Sequence, residues 1–223
     1  MLHQDYIMRQ IAQLVEVLRR ILALTKTDRP PDTLAAIDAE LEELFGLDSR
    51  AMARLSTEGL LTRLTWGVEA AMLGRTKAVV VAALLKEAGS LHTAEEQPDE
   101  SYACHLSALE LLLTVYLQSP QTPLPDYAPS VEVLTAALAD YMLPLETNRL
   151  LFAYYEQRGA YATAEDTLFE MIRDEPQNIE LVEQGIAFYE RLLGRSDEQL
   201  IAGTLPREEV EAGLAELVAR RNG

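Results

Sequence analysis

Apolar positions recur at three- and four-residue steps over nearly the whole chain, while alternation of period two is nowhere sustained and no Asn-Gly or Asp-Gly hairpin turn occurs. The pattern predicts an all-α protein. Ile7, Ile11, Leu14, Leu18 and Ile21, widened by Met8, Val15 and Leu22, draw a broad apolar stripe along a helix over residues 5–24. Arg29-Pro30-Pro31-Asp32 removes backbone donors and predicts a break, with helix resuming near Thr33. That second helix runs to Phe45 and stops at Gly46, a residue suited to a left-handed cap; Asp48 and Ser56 are placed as N-caps of two short helices. Longer helices are expected over 65–92, with Gly74 as a point of interruption, and over 99–117, opened by Pro98 and closed by Pro120. Four prolines within 119–129 predict an extended connector, which divides the chain into an N-terminal helical region, residues 1–118, and a C-terminal region, residues 130–223, as two parts or as one continuous domain.

The C-terminal third carries the most informative pattern. Leu151, Tyr155, Gly159, Tyr161, Ala164, Leu168 and Pro176 fall at the offsets of a tetratricopeptide repeat, a pair of antiparallel helices of about 34 residues. Ala164 lets the two helices approach, Gly159 permits the turn between them, Tyr155 and Leu168 fill the crossing, and Pro176 stops the second helix. Tyr189 follows Tyr155 by one such repeat length, so 179–193 reads as the first helix of a second repeat. Its partner is displaced to about 206–221 by a short helical insert at 196–202. Residues 82–117 repeat the layout loosely, as a helical hairpin whose first helix ends near Ala88-Gly89 and whose turn contains Pro98. The fold class expected is therefore an α-solenoid of tetratricopeptide-like helical repeats with an added N-terminal helical region.

Charge narrows the function. Among 223 residues, 36 acidic side chains face 19 basic ones, a formal charge of −17, which opposes attraction to phosphate backbones and anionic lipid. Nucleic acid and membrane are not expected as partners, and no apolar run approaches the ~18 residues of a bilayer span. The first residues carry Gln4, Asp5, Arg9 and Gln10 in place of a basic cap and an apolar stretch, and the single cysteine, Cys104, forms no internal disulfide, so a cytoplasmic protein is expected. The charge is uneven. Residues 1–30 hold five basic and three acidic side chains, whereas residues 87–148 hold ten carboxylates and no lysine or arginine, either a solvated face or a surface on which the N-terminal helix or a basic partner docks.

Catalytic signatures are missing from the chain: there is no G-x-S-x-G elbow, P-loop or G-x-G-x-x-G fingerprint. His92 with Glu95 and Glu96 lacks the spacing that sets two imidazoles on one helix face, so no metal is expected. Cys104 and His105 are adjacent, hence about 100° apart on a helix, and read as a buried thiol beside a half-buried ring. Neither an enzyme nor a cofactor is expected.

Two further segments stand out: Asp5-Tyr6-Ile7-Met8-Arg9-Gln10-Ile11 near the start, and Ser196-Asp197-Glu198 with Leu205-Pro206-Arg207-Glu208-Glu209-Val210 near the end. Together they resemble a bacterial family known only as a domain of unknown function, similar to tetratricopeptide proteins in helical character. The resemblance implies a bacterial, all-helical protein and supplies no site residue.

The functional expectation comes from the repeat itself. Helical repeats present the first helix of each pair on a concave surface. Counted from Leu145 and Ile179, that surface carries Glu146, Arg149, Ala153, Glu156 and Gln157, then Glu180, Glu183, Ala187, Glu190 and Arg191. Five carboxylates against two arginines suit a basic or neutral segment of a protein or peptide, and the chain reads as a noncatalytic interaction scaffold. The alternatives are a homo-oligomer, such as a homodimer assembling through the N-terminal helix, and an enzyme of unrecognised type.

Overall fold

The computed structural model describes residues 2–24, 30–66 and 71–222, with side chains at 8–23, 32–66 and 71–222. The predicted break at Arg29, residues 67–70 of the expected helix over 65–92, and the Ile7 side chain lie outside the described residues. All regular structure among the described residues is α-helical. The chain forms two compact units, residues 1–142 and 143–223, and the proline-rich segment 119–129 belongs to the first.

The first unit contains α1 (Leu2–Leu24), α2 (Pro30–Phe45), α3 (Ser49–Ala53), α4 (Thr57–Thr65), α5 (Ala71–Ala94), α6 (Pro98–Gln118) and α7 (Val131–Ala137). Its centre is the α5–α6 pair. Residues 78–85 of α5 are buried without interruption, as a helix apolar on every face requires. α1, α2, α3 and α4 pack on α5, while α3, α4 and α7 pack on α6. Asp48 and Ser56 cap α3 and α4 as expected, accepting from the Ala51 and Gly59 amides at 2.7 and 3.2 Å. Gly46 ends α2 at φ +74°.

Three expectations are corrected here. α2 begins at Pro30, not near Thr33, because prolines in a first helical turn lack only donors that have no partner there anyway. Thr65 closes α4 rather than opening the expected helix over 65–92, and that helix, described from Ala71, passes through Gly74 unbroken; a Cβ at Gly74 would stand 3.0 Å from Thr65 Cγ2, so the small residue lets the end of α4 lie close to α5. α5 also continues past Ala88-Gly89 to Ala94, since Gly89 is where the His105 ring of α6 nestles, 2.8 Å from the place of an absent Cβ. One element was missed: α7, capped by Ser130 on the Val133 amide at 3.1 Å, lies just beyond the prolines. The connector itself is held by Arg75, which donates to the Val115 carbonyl at 2.9 Å and the Thr122 carbonyl at 2.8 Å.

The second unit contains α8 (Leu145–Arg158), α9 (Tyr161–Asp174), α10 (Ile179–Leu193), α11 (Asp197–Ala202) and α12 (Arg207–Asn222). α8 packs on α9, α9 on α10 and α10 on α12. Gly159 caps α8 at φ +73°, in the left-handed region where glycine carries no steric penalty. Ala164 and Leu168 are fully buried, with Tyr155 packed against their cluster. Gly185 and Gly213 sit where α10 meets its neighbours: a Cβ would strike Leu217 at the first and the Tyr189 ring at the second.

Candidate functional site

The two arginines of the α8–α10 face are both engaged inside the protein. Arg191 of α10 donates through Nε and Nη2 to both oxygens of Glu156 on α8, at 2.7 and 2.8 Å, a bidentate pair. That hydrogen-bonded carboxylate raises the guanidinium pKa above its ordinary value, against the opposing effect of burial. Arg149 of α8 reaches Glu180 of α10 at 3.3 Å and Glu146, one turn back, at 3.7 Å. Beneath these pairs the Phe152 and Phe188 rings meet edge to face with centroids 5.2 Å apart. Two arginines and three carboxylates thus bridge α8 to α10 over an aromatic floor. Glu183 and Glu190 are exposed and make no ion pair among the described residues. The geometry therefore divides the seven charged positions of the face into five that pair and two that remain free.

A second polar group lies inside the α5–α6 pair. Thr93 and Ser101 share a hydrogen bond of 2.7 Å, and Ser101 meets His105 Nδ1 at 3.2 Å. His92, fully buried, sets Nδ1 2.9 Å from the Gln97 carboxamide oxygen, which also accepts from Arg50 at 2.7 Å. Burial lowers the His105 pKa, the Lys86 charge adding to the effect. Cys104 is buried too, and burial, reinforced by Asp38, pushes its thiol up to about 12. A thiol held protonated is no nucleophile. His105 is fully inside rather than half-buried, and its ring rests on Gly89. What this group does is join two central helices through polar atoms that would be costly to bury singly.

Much of the acidic stretch 87–148 has a local role. Asp99 and Glu100 occupy the first turn of α6, Glu132 that of α7 and Glu146 that of α8, where negative charge complements the helix dipole. Glu110 accepts the Thr57 hydroxyl at 2.5 Å. The N-terminal helix packs on α5, whose last turns belong to this stretch, and on α2, its Arg20 pairing with Glu40.

The segments near Ser196 and Arg207 meet at one place. Ser196 and Gln199 form a reciprocal capping box at the start of α11. Arg207 donates to Asp197 at 2.6 Å, to the Arg195 carbonyl at 2.7 Å and to the Leu193 carbonyl at 3.2 Å, tying α10, α11 and α12 together. Leu205 and Val210 are buried in the same cluster. The conspicuous residues of this segment are thus structural ties. Over residues 1–222 the chain matches the model of the Family of unknown function (DUF6483). It belongs to that family. No curated protein and no solved structure matches it.

DUF6483 membership bears out the resemblance to a domain-of-unknown-function family and adds no site residue to it. Two features of the site escaped the sequence. Arg207 carries no signal of its own in the sequence, because a staple between three helices has no local spacing to mark it. The Arg191–Glu156 and Arg149–Glu180 pairs join residues 35 and 31 apart and require the approach of α8 to α10 to be known first.

Proposed function

We propose that this protein is a noncatalytic interaction scaffold of bacterial cytoplasm, its C-terminal region a tetratricopeptide-like helical repeat whose α8–α10 face receives a basic or neutral polypeptide segment. One observation carries the reading: both arginines of the face are neutralised within it, so the charge left for a partner is that of Glu183 and Glu190. Two free carboxylates flanking a rigid, ion-paired surface favour lysine- or arginine-bearing chains and repel acidic ones. Self-association through the N-terminal helix has less to support it, because Leu14, Leu18 and Ile21 are already buried within the chain.

The test follows from the division of charges. Proteins recovered from the source cells at low salt and lost at high salt are retested against Glu183→Gln combined with Glu190→Gln. Each lost exposed pair is worth about 0.2–1 kcal/mol, so affinity falls roughly two- to thirtyfold for the two together, and the salt dependence shrinks. Unchanged affinity and unchanged salt dependence would overturn the reading.

A further inference from the structure

A cleft in the first unit is lined by the end of α2 (Leu44, Phe45), by Arg63 and Trp66 at the end of α4, and by Lys77 of α5. Its volume, about 560 Å³, lies within the range of small-molecule sites, about 300–1,000 Å³. Among the described residues no carboxylate lines it, in a chain where acidic side chains outnumber basic ones nearly two to one. Arg63 is fixed at the wall, its Nε donating to the Phe45 carbonyl at 2.9 Å, with Nη2 over the Gly46 turn. Lys77 is half-buried and meets no ion-pair partner among the described residues, and burial lowers its pKa. Trp66 is 82% exposed, an unusual position for the largest apolar side chain unless something covers it.

Neighbouring clefts lack this combination. Beside Arg75 the guanidinium is committed to the Val115 and Thr122 carbonyls. Between α1 and α2 the lining brings its own carboxylates, Glu16, Glu40 and Glu43, and Glu40 pairs with Arg20.

We propose that the Trp66 cleft binds a small amphiphilic anion, a carboxylate or phosphate monoester on an apolar body. The anionic head sits between the Arg63 guanidinium and the Lys77 ammonium, and the body lies against Trp66 and the Leu44–Phe45 edge. A guanidinium held by its own Nε still offers its outer N–H groups to an anion, and an ammonium without a partner gains most from one. The inference is independent of the α8–α10 face.

Trp66 is the single tryptophan of the chain, so tryptophan emission, excited beyond the absorption band of the nine tyrosines, reports on this cleft alone. The full-length protein is titrated with octanoate, octyl phosphate and 1-octanol. At least one anion is expected to shift the emission to shorter wavelength saturably, and whichever binds tighter identifies the head group; 1-octanol at the same concentrations produces no shift. Lys77→Gln weakens the anion about tenfold, as loss of one charge-assisted contact does, while Lys77→Arg retains it. Rising salt weakens binding as well, which tests the charge requirement on the unaltered protein should Lys77→Gln fold poorly. No saturable shift with either anion, equal binding of the alcohol, indifference to Lys77→Gln and salt, or a response only to anionic vesicles would each overturn the proposal.

Discussion

In α5, residues 78–85 are buried without a break; in α10, Leu181, Val182, Gly185, Ile186, Phe188, Tyr189 and Leu192 are buried and the positions between them turn outwards. The two helices are built from similar residue types but answer different surroundings. α5 is touched by four other helices besides α6, so the polar groups of that pair, Thr93, Ser101, His105 and His92, bond to one another or to Gln97. α10 is packed by α9 and α12 and tied to α8, yet leaves Glu183 and Glu190 exposed, without an ion pair among the described residues and at little desolvation cost. Where a helix is enclosed, polarity is spent on cohesion. Where it leaves positions exposed, polarity is free to meet something else.

Substitutions that probe enclosure should have the largest effects. Leu112 of α6 is fully buried, and Leu112→Ala is expected to cost about 2–5 kcal/mol of unfolding free energy by denaturant titration, through lost burial plus a residual cavity. A loss below about 1 kcal/mol would mean that α6 can collapse around the gap and is not enclosed on all sides. Ala164 tests the other unit. It is buried between packed helices, and Ala164→Leu forces extra methylenes into their crossing, for a loss of about 1–3 kcal/mol. An unchanged thermal midpoint would show that the helices do not approach closely at Ala164.

The smallest expected effect concerns acid. Because burial lowers the His105 pKa, the folded protein binds that proton more weakly than the unfolded chain does. The resulting stability is intact above the ordinary value of 6.5 and is lost as pH falls through the lowered one. His105→Gln removes this titration, so the loss of unfolding free energy between about pH 7 and about pH 5 should be shallower in the variant than in the parent. An identical slope would show that His105 accepts its proton as readily inside the fold as outside it.

The sequence was most legible where one short rule decides an element. Asp48, Ser56 and the Gly46 and Gly159 stops are local chemistry, a side chain or a backbone angle acting within a few residues, and they stand as read. The 179–193 helix carries both its stripe and its repeat spacing, and α10 has those bounds. Reading failed where two rules compete. Gly74 and Gly89 weaken a helix by propensity, and tertiary packing overrode that, because Thr65 and His105 occupy the space their missing side chains leave. Pro30 and Pro31 were taken as a break when their place in a first turn makes them a start.

By itself the sequence determined that this protein is helical, acidic and without a membrane-length apolar helix, and it located most helix ends, since these follow from side-chain periodicity, charge and caps that act over a turn or two. Only the tertiary structure decided that α5 and α6 form the centre of the first unit, that His105 is enclosed, that Arg207 ties three helices, and that Arg149 and Arg191 are already paired. Each of these depends on residues far apart in the chain meeting at a few ångströms, and such meetings leave no period in the sequence. The same holds for Trp66, Arg63 and Lys77: three unremarkable positions on two helices become a cationic, apolar-walled cleft only once α2, α4 and α5 have packed.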